Sequence, residues 1–468
     1  MTQLHDLTAL EQGEAVRRRE ASPVELVDHY LDRVDRLSDE VGAFVTVTAD
    51  LARHQARLAE ARSGGGPLFG VPTAVKDLNL TAGVRTTFGA KVMSDFVPDV
   101  SDEVVLRLEA AGTVSLGKTN TPEFGSPCYT EPDVAPPART PWDLGLMAGG
   151  SSGGAGAAVA AGLVPVAQGS DGGGSIRIPA SCCGLVGFKP SRGRISGSPM
   201  HGDPVGLGTA GPLARTVRDA AALLDVMAGP AVGDPFWAAP LPEGQSFLGW
   251  CDREPGRLRV ARFADPVITD APVRPEVLAA YDAASRLLER LGHDVEDIEV
   301  PMPREAVPVF ETCWSVLTAL TVRPPGGEDD LRPLTRWLTE RGRAVSGPEF
   351  GLAVGELRRV AAETLRVLAP YDVVLTPTLA QPPLLVGEIR DDADPARDFE
   401  NQKAFTPYTS AWNVTGMPAV SLPLHMTADG LPVGVMLAGR PGEDHRLLAL
   451  AAQVEEAAPW HDRRPPCW

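Results

Sequence analysis

Residues 149–190 read GGSSGGAGAAVAAGLVPVAQGSDGGGSIRIPASCCGLVGFKP, and two serines in this stretch have the types and settings to do chemistry. Ser151 and Ser175 each sit in a glycine-rich turn, and a segment rich in alanine, glycine and valine joins them. Glycine tolerates positive φ and lets its N–H point freely at a ligand. The run Asp171-Gly172-Gly173-Gly174-Ser175 can therefore aim consecutive donors at one point, a nest able to hold a developing oxyanion. A serine hydroxyl at the end of such a nest is placed like a nucleophile.

The stretch resembles the signature region of the amidase signature family of serine hydrolases. The likeness covers both glycine-serine turns and the Ser-Ile-Arg-Ile-Pro-Ala that begins at Ser175. It includes Gly70-Val71-Pro72-Thr73-Ala74-Val75-Lys76-Asp77, where the family carries its catalytic lysine, and the segment Gly117–Gly125. It runs over residues 66–230 and returns at 371–378 and 404–460.

The resemblance implies a Ser–cis-Ser–Lys triad made of Ser175 as nucleophile, Ser151 as proton relay and Lys76 as base. It places the oxyanion against the amides of Gly172, Gly173, Gly174 and Ser175. The chemistry is coherent by itself, because serine is a poor nucleophile until a neighbouring base takes its proton. An ammonium cannot be that base, so the Lys76 pKa has to fall from about 10.4 to near 7 or 8. Burial does this by disfavouring the charged form, and Val71, Ala74, Val75 and Leu78 give the lysine an apolar, strand-like setting. Asp171 and Arg177 flank the nucleophile turn with opposite charges and are expected to clamp it, with Ser152 in support. The family usually has threonine or isoleucine after Asp171; here Gly172 keeps the amide donor and widens the acyl pocket.

Other readings of these residues fare worse. Gly149-Gly150-Ser151-Ser152-Gly153 matches the G-x-S-x-G elbow of α/β-hydrolases, but that elbow needs a buried strand before it and Pro141–Ala148 is a poor one. It also needs a histidine, and His201, His293, His425, His445 and His461 stand in no recognisable context. No Gly-Lys-Ser/Thr follows the glycines, and Gly154-Ala155-Gly156 lacks the third glycine of a dinucleotide fingerprint. Tight packing explains Gly153, Gly154 and Gly156, but it does not explain two glycine-serine turns together with the Lys76 segment. The six cysteines (Cys128, Cys182, Cys183, Cys251, Cys313 and Cys467) form no C-x-x-C pair and no zinc spacing with histidine, so no metal is expected.

Bulk properties bound the rest. The chain has 468 residues, 43% hydrophobic and 22% charged, as in an ordinary globular protein. A net charge of −18 argues against nucleic acid, whose phosphates attract clustered Lys and Arg. The N-terminal residues lack the basic and apolar regions of a signal peptide, and no apolar run is long enough to span a membrane. The expected compartment is the cytoplasm, with no membrane partner and a monomer or homodimer as the working unit.

Ser22-Pro23-Val24-Glu25 opens a helix with an N-cap, a first-turn proline and a capping-box glutamate. Residues 1–65 read as a helical N-terminal segment ending in Gly64-Gly65-Gly66, 66–230 as the signature core, 231–400 as a variable substrate-determining region, and 401–468 as the C-terminal part of the core. Short apolar runs ending at Lys76, Lys118, Asp171 and Lys189 alternate with helical stretches, which implies an α/β sheet layered with helices. Residues 301–370 read as mostly helical, interrupted by Arg323-Pro324-Pro325-Gly326-Gly327. The family's fold agrees: one large α/β/α domain around a central mixed β-sheet.

The expected activity is a cofactor-independent amidohydrolase acting on a small-molecule amide or carbamate. Thr119–Glu123 and Asp171–Ala180 look most like the family's stand-alone bacterial amidases, which act on nylon oligomers, aryl acylamides and carbamates. The competing subfamily is the glutamine-hydrolysing component of the tRNA-dependent amidotransferase. It usually has glutamine after Ser-Ile-Arg, where Ile178 stands here. A non-catalytic binder on the same fold would be expected to lose one of Lys76, Ser151 or Ser175. Specificity is expected from loops at 126–147, 200–210, 301–350 and 400–415, which carry Tyr129, Trp142, Phe310, Trp314, Trp337, Phe405, Tyr408 and Trp412. Tyr129, Cys313, Trp314 and Trp412 are the candidate pocket residues, and a neutral, hydrophobic substrate is expected.

Overall fold

The Ser22 hydroxyl accepts from the Glu25 amide while the Glu25 carboxylate accepts from the Ser22 amide, so the capping box starts the helix Pro23–Val41 where the sequence places it. Gly42, at φ 63°, ends that helix in the left-handed region. The computed structural model describes residues 3–62, 65–200, 202–324 and 326–468, so Gly64, His201 and Pro325 lie outside the described residues.

The N-terminal segment is not wholly helical. Phe44–Val47 forms strand β1, the edge of a three-stranded sheet with β2 (Pro72–Lys76) and β3 (Val114–Thr119), in the order β1-β3-β2. Phe-Val-Thr-Val is a β-favouring run, but at four residues it is easily lost between two amphipathic helices.

The larger sheet holds β4 (Val166–Asp171), β5 (Val186–Lys189), β6 (Thr209–Ala214), β7 (Arg259–Arg262), β8 (Asp294–Asp297), β9 (Val373–Pro377), β10 (Ala419–Met426) and β11 (Pro432–Gly439). Its order is β4-β6-β5-β10-β11-β9-β7-β8, antiparallel from β4 to β9 and parallel across β9, β7 and β8. Helices cover both faces, giving the mixed α/β architecture that the strand-helix alternation implies. Side chains alternate accordingly: Val260, Val373, Leu375 and Leu437 pack into one core, and Ala261, Val374 and Ala438 into another. No helix among the described residues is long and apolar enough to cross a membrane.

The two sheets meet at β2 and β4 without a backbone ladder. Thr73 Oγ1 donates to Val166 O at 3.2 Å, and the Lys76 amide donates to Gln168 Oε1 at 2.9 Å. Side chains thus join the strand that ends in Lys76 to the strand that ends in Asp171.

Candidate active site

Lys76 is the last residue of β2 and is fully buried. Its Nζ lies 2.8 Å from Ser151 Oγ, 3.1 Å from Ser170 Oγ and 3.4 Å from Ser170 O. Burial lowers its pKa from 10.5 to about 7, although the Asp171 charge pulls the other way. The amine therefore has a large neutral population near pH 7.

Ser151 follows a cis Gly150–Ser151 peptide. Gly150 has no room for a side chain, since a Cβ there would lie 2.8 Å from the Tyr129 backbone. Ser152 ties the segment to its neighbours. Its Oγ donates to Ser170 O at 3.1 Å and accepts from Ser170 N at 3.2 Å, while its own amide donates to Ser175 O at 3.1 Å. The helix Gly153–Ala160 then packs close against β3 and β1, and a Cβ on Gly154 would sit 2.3 Å from Asn120 N. Small residues are what let this segment pack closely enough for Ser151 to reach Lys76.

The turn after β4 is organised by a buried carboxylate. Asp171 accepts from the amides of Gly174 (2.8 Å) and Ile176 (3.1 Å), from Arg177 Nε and Nη2 (both 2.9 Å), and from Asn413 Nδ2 (2.9 Å). Burial alone would raise its pKa, but the Arg177 guanidinium and Asn413 hold the carboxyl well below the usual range. Arg177 also donates to Thr409 O and to Asn413 Oδ1, so this clamp anchors the turn to the C-terminal part of the chain.

One expected oxyanion donor is lost to this network. The Gly174 amide is spent on Asp171 and is not free for the oxyanion. Ser175 itself is 8% exposed, enough for its hydroxyl to be reached.

Ser175 stands where two cavities meet. One, a lobe, is lined by Ser175, Gly173, Ile178, Val267, Met302, Phe310 and Trp314 among others. The other, a cleft, is lined by Ser175, Ser151, Gly172, Leu78, Phe88, Phe124, Leu320 and Val322 among others. Trp314 and Ser126 border both. A Cβ on Gly172 would meet the Trp314 ring at 3.6 Å, so a larger residue there would press on that ring.

Three of the four expected pocket residues prove to be core. Cys313 and Trp412 are buried in one apolar cluster, and Tyr129 donates its hydroxyl to Asp398 at 2.6 Å; none of the three lines either cavity. Trp314 does, and Phe310 stacks beside it with ring centroids 5.5 Å apart. Residues 400–415 also differ from the expected loop: they comprise the end of the helix Pro395–Phe405 and the short helix Ala411–Val414.

Sequence reasoning missed Ser170, Gln168, Asn79, Thr409 and Asn413. Gln168 and Ser170 lie just before Asp171 but carry no pattern that marks them, and Asn79, Thr409 and Asn413 are brought to the site by the fold. Among the described histidines none lines either cavity: His293 bonds Gln453, His445 packs on Trp250 and His461 pairs with Asp462.

The profile of the amidase family (description: Amidase) matches residues 25–448. The chain is 39% identical to 6-aminohexanoate-cyclic-dimer hydrolase of Paenarthrobacter ureafaciens over 486 residues, covering 98% of this chain and 96% of that one. It is 35% identical to an acylamidase of Rhodococcus erythropolis over 484 residues, covering 99% of this chain and 98% of that one. The solved structure of a 6-aminohexanoate cyclic dimer hydrolase superimposes on it with a TM-score of 0.92 at 37% identity, covering 100% of both chains.

Proposed function

The chain belongs to the amidase family and is a hydrolase of amide bonds, and from that premise we propose that Ser175 cleaves neutral, hydrophobic amides, anilides or carbamates through an acyl-enzyme. The observation that carries this reading is the buried Lys76 Nζ held 2.8 Å from Ser151 Oγ, beside the cleft that also holds Ser175.

Neutral Lys76 takes the Ser151 proton as Ser151 takes that of Ser175, and the freed Ser175 oxygen bonds to the substrate carbonyl carbon. The amides of Gly172, Gly173 and Ser175 meet the resulting oxyanion. On collapse the C–N bond breaks, and Ser151 passes a proton from Lys76 to the nitrogen, because an amine leaves poorly unless protonated. Water then attacks the acyl-serine, Lys76 again accepting the proton through Ser151, and the acid is released.

The lining supports a neutral substrate. Among the described residues Lys403 is the only cation bordering either cavity, and it is bridged by Glu311 at 2.6 Å and Glu400 at 2.7 Å. Arg177 is committed to Asp171. No free cation among the described residues stands ready for the carboxylate of glutamine, which weighs against the glutamine-hydrolysing amidotransferase reading.

A panel of p-nitroanilides, caprolactam oligomers, aryl carbamates and glutamine tests the substrate class. The highest kcat/KM is expected for a neutral apolar member, and a maximum on glutamine overturns the proposal. A fluorophosphonate probe is expected to label Ser175 in the folded protein. A folded chain left unlabelled across pH is instead a non-catalytic binder.

A further inference from the structure

The two cavities that meet at Ser175 do not present the same reacting groups. The cleft carries Ser151, Ser170 and Gly172 beside Ser175, whereas the lobe carries Gly173 and Ser175 without Ser151. In the reaction proposed above, Ser151 returns the proton to the departing nitrogen, so the nitrogen has to lie on Ser151's side of the scissile bond. From this geometry we propose that the cleft is the amine subsite and the Phe310 lobe the acyl subsite. The apolar mouth of the cleft then selects secondary amides, anilides or carbamates with a large apolar N-substituent. The inference rests on the Ser175–Ser151–Lys76 reading and names the substrate that reading leaves open.

The walls support the assignment. From Ser151 the cleft runs past Leu78, Leu80, Phe88 and Phe124 and opens between Met200, Leu320 and Val322. Those last three are 56%, 54% and 74% exposed, an apolar rim continuous with the catalytic cleft. Exposed apolar patches of this kind mark places where something apolar binds, and their continuity with the cleft identifies the occupant as the far end of the substrate. A primary amide, which releases only ammonia, would leave the whole cleft empty. The carboxylates bordering the cleft are Asp102, Asp171 and Asp203; Arg177 offsets Asp171, but no cation among the described residues lines the cleft itself, so an anionic N-substituent is disfavoured.

Two substrate series separate the subsites, one with a fixed acyl group and a lengthening N-alkyl chain, the other with a fixed amine and a lengthening acyl chain. In the parent enzyme kcat/KM is expected to rise about fourfold per methylene along the N-alkyl series until the rim is passed. Leu320→Asp and Val322→Asp flatten that series and leave the slope of the acyl series in place. Phe310→Ala flattens the acyl series. Deacylation, read in single turnover after the amine has left, keeps one rate for all amines sharing an acyl group; it is unchanged in the rim variants and altered in Phe310→Ala.

If the rim variants flatten the acyl series or alter deacylation, the assignment is reversed. Equal losses in both series, or none in either, also overturn it. Should Leu320→Asp fail to fold, Met200→Glu at the same rim carries the test. Absence of any acyl-serine on Ser175 in the parent is a separate result: it overturns the catalytic reading itself, whatever the slopes.

Discussion

The turn at residues 170–177 and the helix Ala306–Ala319 both border Ser175, yet they are held in opposite ways. In the turn the polar groups are tied into one network of specific partners: Asp171 accepts from Gly174, Ile176, Arg177 and Asn413, and Thr409 Oγ1 donates to Gly173 O at 2.6 Å. The helix presents Phe310 and Trp314 through ring stacking, with one hydrogen bond of 3.3 Å from Trp314 Nε1 to Ser126 Oγ. Buried polar networks tolerate almost no displacement, whereas apolar walls accept many shapes of similar volume. Substitutions should therefore act as switches in the turn and as graded adjustments in the helix.

The sharpest form of this contrast is catalytic. Ser175→Ala and Lys76→Met are each expected to lower kcat/KM by about 10⁴-fold or more, since members of a reacting unit are not partly replaceable. Thermal melting should stay close to that of the parent, because Lys76→Met removes only an amine of lowered pKa. A Ser175→Ala variant with near-parental turnover breaks the comparison at its root. Next in size is the clamp. Asp171→Asn leaves the buried Arg177 charge without its counter-ion and is expected to cost about 3–5 kcal/mol in urea denaturation. A loss below about 1 kcal/mol would show that the turn holds its shape without the ion pair.

The same contrast explains what the sequence discloses. Lys76, Ser151, Asp171 and Ser175 stand out because their surroundings demand glycine or small residues at fixed places, as at Gly150 and Gly154. Strands ending at Lys76, Asp171 and Lys189 are readable from apolar runs that stop at a polar residue. β6 is not, since Thr-Ala-Gly-Pro-Leu-Ala lacks the composition of a strand, yet it pairs with both β4 and β5. The Gly174 amide departs from expectation because a nest in sequence does not reveal that its own first residue, Asp171, consumes one donor. On the helical side, Cys313 and Trp314 are neighbours facing the core and the cavities respectively. No local pattern distinguishes them, because a wall and a core are both apolar helix faces.

Two tryptophans test that indistinguishability. Trp314→Ala enlarges the cavities and is expected to lower kcat/KM for aromatic or bulky substrates by about 10–200-fold, mostly through KM. Trp412→Ala removes a buried ring from the core and is expected to lower stability by about 3–5 kcal/mol, with KM little changed in whatever fraction folds. Kinetics and denaturation curves on the two purified variants separate the effects. If Trp412→Ala shifts substrate preference as strongly as Trp314→Ala does, the wall and the core are mechanically one.

The smallest expected effect lies at the seam between the two sheets. Burial brings the Lys76 pKa down to about 7, and the reacting form is the neutral amine, so kcat/KM should rise as pH rises through about 7 and then level. A lysine left in water would put that limb near 10.5. The seam that keeps Lys76 buried depends on Gln168, whose Oε1 accepts from the Lys76 amide while its Nε2 donates to Asn79 Oδ1 at 2.9 Å. Gln168→Leu leaves a buried N–H unpaired and loosens the end of β2, admitting water to Nζ. Hydration stabilises the ammonium, so the limb moves to more alkaline pH while the plateau above it falls only a few-fold. Asn79→Ala, one bond further from the lysine, should move the limb less in the same direction. If Gln168→Leu lowers the plateau but leaves the limb near pH 7, then the strand's own packing keeps Lys76 dry and the glutamine sets only its position.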